Sequence, residues 1–124
     1  MRSRTERRKE DLEEFFGIFS NLTHELINNP NDEEIFIFNE SFEAGEWISM
    51  KRCHAVELAE MNLEFIMKRK KQWIEEGSYS EDGSKLLTED VEECGYESVK
   101  AHHDAIHEIF KKVDSLKSYS EFST

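Results

Sequence analysis

Residues 53–76 read CHAVELAEMNLEFIMKRKKQWIEE, and this stretch decides the fold. At 100° per residue, Ala55, Val56, Leu58, Ala59, Leu63, Phe65, Ile66, Met67, Trp73 and Ile74 gather on one broad arc. Glu57, Glu60, Glu64, Lys68, Lys71 and Glu75 fill the other side, with Glu64 and Lys68 spaced as an i,i+4 ion pair. An apolar arc wider than a half-circle needs more than one neighbour, so the pattern predicts a helix lying between two partners, from its own chain or a second copy. Asn62, Arg69 and Lys70 interrupt the arc. A lone polar residue such as Asn62 either bonds locally in a core or sets the register of an oligomer.

Outward from this helix, the pattern predicts two more. The first covers about 5–28, with Leu12, Phe15, Phe16, Ile18, Phe19, Leu22, Leu26 and Ile27 on one half and Asn28-Asn29-Pro30-Asn31 as its stop. The last covers 88–117, capped by Thr88, with Val91, Val99, Ile106, Ile109, Phe110, Val113 and Leu116 on one arc. Gly95 falls within that arc and either kinks the helix or admits a close neighbour. Between the first two helices, Ile35-Phe36-Ile37-Phe38 is β-prone and fits no helical face. A short hairpin over 34–51, pairing 34–39 with 46–51, is the favoured reading; an early start of the central helix near Ser41 is the other. Residues 1–8 read as a mobile basic arm, 77–86 as an exposed loop open to proteolysis, and 118–124 as a frayed tail. The expected fold is mostly α: one domain over 1–124, a small bundle of three long amphipathic helices with a possible hairpin.

The chain has 124 residues, 35% charged and 37% hydrophobic, with a net charge of −12. Five basic and two acidic side chains give residues 1–10 a charge of +3, which leaves −15 for the rest. An acidic body opposes broad nucleic-acid affinity, which is built by neutralising phosphates, and favours a partner with a basic surface. No apolar run reaches the ~18 residues of a membrane span, and the N-terminus has the basic flank of a leader without its apolar segment. Cys53 and Cys94 lack metal-type spacing and fall on predicted helices, which reads as packed, reduced thiols in a cytoplasmic protein.

The one constellation with metal-site spacing is His103 and His107, one helical turn apart, with Asp114 near the same edge. Glu57, Glu60 or Glu64 from a neighbouring helix are the carboxylates that could complete it, but the paired Glu-x-x-His motifs of di-iron bundles are missing. His102 lies on the apolar arc as a core histidine. Cys94 stands more than ~12 Å along the helix from His102 and His103, and no Gly-rich phosphate loop or Ser-centred elbow is present. No enzyme and no cofactor is expected.

Abundant amphipathic helix without a catalytic constellation predicts a small acidic regulatory protein acting by stoichiometric protein binding, of the inhibitor, adaptor or anti-activator kind, one version of which is a nucleic-acid charge mimic. A homodimer is expected, with contacts assigned to Asn62, Phe65, Arg69, Trp73, Ile109 and Val113. The alternatives are a metal-binding bundle using His103 and His107, and nucleic-acid binding through the basic arm and the Lys68-Arg69-Lys70-Lys71 run.

Overall fold

Ser3 opens the first helix. Its Oγ accepts the Glu6 N–H at 3.0 Å, and helix α1 then runs over Arg4–Asn28. The structure, a computed structural model, describes residues 2–39 and 45–117. Strand β1 is Glu34–Asn39, strand β2 is Glu46–Lys51, helix α2 is Arg52–Glu75, helix α3 is Thr88–Cys94 and helix α4 is Tyr96–Lys117. The chain is mostly helical, with one small antiparallel hairpin.

Helix α1 packs on both α2 and α4, and α2, expected to lie between two partners, packs on α1, on both strands of the hairpin and, through Trp73 and Lys70, on α4. The fully buried side chains of α2 are Ala55, Ala59, Asn62, Ile66 and Trp73, a narrow stripe whose two alanines bring the helix close to its neighbours. Val56, Leu58, Leu63, Met67 and Ile74 are half-buried along its flanks, so the broad arc is mostly covered from within the chain. In α1, Leu12, Phe19, Leu22 and Leu26 are all at most 1% exposed, each contributing about 1.5–3 kcal/mol by burial. The Phe15–Phe65 and Trp73–Phe110 ring pairs, at 4.3 and 6.0 Å, join α1 to α2 and α2 to α4.

The hairpin pairs Glu34–Asn39 with Glu46–Lys51, and the register sets Ile35 opposite Met50, Ile37 opposite Ile48 and Phe38 opposite Trp47. Period two sends Ile35, Ile37, Ile48 and Met50 to the helices, Ile35 being 1% exposed. Residues 40–44, assigned to the turn, and the tail 118–124 lie outside the described residues.

Four helices stand where three were expected, because Gly95 breaks the last one. Its φ of 89° and ψ of 147° lie where a Cβ is disfavoured, and its N–H closes α3 onto the Val91 carbonyl. Thr88 is the first helical residue of α3 and Leu87 its N-cap, so the expected hydroxyl cap is not formed. Within the stretch read as a mobile arm, Arg4–Arg8 form the first turn of α1, and Ser3 and Thr5 are buried. Segment 77–86 is only partly an exposed loop, since Tyr79 is 3% exposed and anchors it. Cys53 is exposed rather than packed, and Cys94 is half-buried; both are free thiols.

Candidate functional site

His103 and His107 point from α4 into the 76–87 segment and act on it as struts. His103 is buried, and its Nε2 lies 2.8 Å from the Gly83 carbonyl; a carbonyl only accepts, so Nε2 carries the proton. Burial holds the His103 pKa below its usual 6.5, outweighing the Gly83 hydrogen bond and the Asp104 charge that favour protonation. His107 Nδ1 lies 2.7 Å from the Tyr79 hydroxyl. Burial first, then the charges of Asp114 and Asp82, push Tyr79 up to about 12, so its hydroxyl stays protonated. That is the opposite of an activated nucleophile. The Tyr79 ring packs against His103, His107 and Phe110, at 5.5, 6.2 and 5.2 Å.

The rest of the segment is folded onto this anchor. Ser78 N–H and Tyr79 N–H both donate to the Trp73 carbonyl. Asp82 Oδ1 accepts from Ser80 Oγ, Ser84 Oγ and Ser84 N–H, and these bonds hold its carboxyl down to about 2. Asp114 pairs with Lys70 at 3.8 Å. Among the described residues, no group of three or more His, Cys, Asp or Glu side chains is arranged to hold a metal ion.

The residues assigned to a partner interface divide. Asn62, Trp73, Ile109 and Val113 are 8, 5, 7 and 0% exposed within the chain, and Asn62 Nδ2 donates to the Leu58 carbonyl one turn back. That local bond satisfies the amide without a second copy. Phe65 and Arg69 are half-buried, with the Arg69 guanidinium 4.9 Å over the Phe65 ring.

Many of the basic side chains are engaged inside the chain. Arg2 pairs with Glu10, Arg4 with Glu89 and Lys9 with Glu13. Arg8 bonds Glu76 and Ser78 and stacks 4.6 Å over Trp73. Lys70 lies 5.5 Å over the Phe110 ring. These partners reduce what either basic run can offer to phosphates.

Among the described residues, three of the seven exposed large apolar side chains share one face of the hairpin. Phe36, Phe38 and Trp47 are 52, 39 and 67% exposed, and the register puts them on the face turned away from the helices. Phe38 and Trp47 are a directly opposed cross-strand pair, with centroids 5.4 Å apart. Ser49 faces Phe36, and Glu34 faces Lys51 at one end. Sequence reasoning missed this face although its signal was available. An unbroken Ile-Phe-Ile-Phe run in a two-stranded hairpin must turn alternate side chains outward, and Trp47 follows from the pairing.

Comparison with protein-family models, with curated proteins and with solved structures finds no match.

Proposed function

We propose that this protein acts by stoichiometric protein binding, and that its contact surface is the outer face of the β1–β2 hairpin. The observation carrying this reading is the exposure of Phe36, Phe38 and Trp47 together on one face. With roughly half of each ring in water, and aromatic side chains burying about 150–250 Å² apiece, the patch is on the order of 300 Å². A patch of that size on a monomer is often functional.

A second copy of the chain is the occupant that the face fits. A particle of charge −12 repels its copies except where its surface is locally neutral, and the charges among the described residues of this face, Glu34 and Lys51, oppose each other. With a two-fold axis along the strands, β1 of each copy lies over β2 of the other. Glu34 then meets Lys51, and Phe38 meets Trp47, across the axis. A contact well below the standard ~800 Å² per partner makes a weak dimer unless neighbouring surface joins it. The remaining acidic surface suits a partner with a basic surface, consistent with an inhibitor, adaptor or anti-activator.

Sedimentation equilibrium of the wild type and of Trp47→Ser tests the reading. The expected result is reversible self-association of the wild type, with a dissociation constant of about 10–100 μM, lost in the variant. A wild type that stays at 14.7 kDa throughout overturns it.

A further inference from the structure

The two basic runs, some 60 positions apart in the sequence, meet in one cleft. Helices α1 and α2 run antiparallel, with Phe15 beside Phe65 and Arg8 beside Trp73. Between them opens a cleft of 230 Å³ lined by Arg4, Arg8, Phe15, Phe65, Arg69 and Trp73. One carboxylate, Asp11, faces these three guanidiniums, and Gln72 completes the wall. An adjoining recess of 130 Å³ shares Phe65, Arg69 and Gln72 and adds Lys68. The lining carries three guanidiniums against one carboxylate, the reverse of the whole chain's 28 acidic residues against 16 Lys and Arg, while Glu76 and Glu89 pair with Arg8 and Arg4.

The arginines are not equally committed. Arg8 is held by Glu76, Ser78 and the Trp73 ring, and serves as a fixed wall. Arg4 reaches Glu89 only at 3.5 Å, with the two side chains 50 and 85% exposed, and such a solvated pair is worth little. Arg69 makes one long bond, 3.3 Å, to Gln72, and its guanidinium carbon lies 4.9 Å over the Phe65 ring. Arg4 and Arg69 therefore have donors to give to an acid, and a guanidinium suits bidentate recognition.

We propose that the α1–α2 cleft binds a small planar anion, an aromatic or heteroaromatic ring carrying one carboxylate or phosphate. Arg4 and Arg69 hold the acid group, and the Phe15–Phe65 pair forms the apolar wall for the ring. Size supports this class: a buried cavity of about 150 Å³ accepts benzene, so 230 Å³ holds such a ring together with its acid group. Charge excludes a long polyanion. Screening acts over about 8 Å at physiological salt, so a compact ligand feels the cleft's cations while a polymer leaving the cleft meets the acidic body.

The test uses 2-naphthoate, its neutral isostere 2-naphthamide, and a short single-stranded oligonucleotide. The full chain carries Trp47→Phe, which leaves Trp73 as the sole indole. The readout is the NMR shift of the Trp73 indole N–H during titration. Saturable binding of naphthoate is expected, with naphthamide weaker by about tenfold, a difference of one charge-assisted contact. Arg69→Gln and Arg4→Gln are each expected to weaken naphthoate by about threefold or more while the melting temperature stays near that of the parent. Equal binding of acid and amide, wild-type affinity in both arginine variants, or no shift at millimolar naphthoate overturns the proposal. Tighter binding of the oligonucleotide also overturns it, and assigns the cleft to nucleic acid.

Discussion

Asp90 in α3 caps the amino end of α1 through Thr5, whose N–H and hydroxyl both donate to Asp90 Oδ2, at 2.7 and 2.6 Å. At the other end of α1, the Arg52 guanidinium donates to the Leu26, Asn29 and Asp32 carbonyls. Each charge has the sign that its end of the helix dipole favours.

Burial raises the Asp90 pKa, but the two Thr5 bonds and the Arg4 N–H and guanidinium outweigh it, so the carboxyl sits below its usual 3.8. A lowered folded pKa means that the unfolded chain binds the proton more readily. The contribution is therefore complete above 3.8 and fades as pH falls through the folded value. Asp90→Ala is expected to cost about 1.5–3 kcal/mol near neutral pH, measured by urea denaturation. Asp90→Asn is expected to flatten the acid limb of the stability curve; an unchanged limb removes the capping account.

The Tyr79–His107 and His103–Gly83 bonds give the 76–87 segment two pH limits. His103 has a lowered folded pKa, so its contribution is complete above 6.5 and is lost as pH falls below that value. Tyr79 is raised to about 12, so its contribution is complete below 10 and is lost as pH rises between the two values. Limited proteolysis within 77–86 is expected to be slowest near neutral pH and to quicken on both sides. Tyr79→Phe abolishes the alkaline rise, costs about 1 kcal/mol and leaves the acid one.

Gly83 and Gly95 both have positive φ, yet substitution costs differ. A Cβ at Gly83 would stand 2.5 Å from the His107 ring, whereas at Gly95 it meets nothing within 4 Å. Gly95→Ala is expected to lower stability by about 1–3 kcal/mol through backbone strain alone. Gly83→Ala adds a steric cost of about 1–3 kcal/mol, which is absent when Gly83→Ala is made in a His107→Ala background and compared with His107→Ala alone. Thermal unfolding of the wild type, the single variants and the double variant separates the two terms.

Thr23 is fully buried, and its Oγ1 has no hydrogen-bond partner. Thr23→Val replaces that hydroxyl by a methyl of similar size and is expected to raise stability by about 1 kcal/mol or more. Destabilisation in the variant would mean that a bound water serves the hydroxyl.

The hairpin was legible because Ile35-Phe36-Ile37-Phe38 fits no helical face, and the structure pairs the expected residues. The narrowness of the buried stripe on α2 was not. On a helical wheel an alanine counts as apolar surface needing cover, but Ala55 and Ala59 need little and instead admit a close neighbour. Arg52 caps α1 through bonds to residues 23 and 26 positions away, which no local window contains. The same holds for Asp90, which sits 85 residues from Thr5. The spacing of His103 and His107 suggested a shared ligand, but what the imidazoles hold is a loop whose anchor, Tyr79, lay in a stretch read as exposed.

Because α1 packs on both α2 and α4, a helix made early is completed by one made well after it. At about 5–20 residues per second, Phe16, Phe19 and Leu22 wait several seconds for α4 to emerge. Over that interval the nascent chain is a natural client for a chaperone that shields greasy segments, and a ribosome stalled before residue 96 leaves half of the α1 groove open. Quality control, rather than activity, is then the first process to register a lesion in α4.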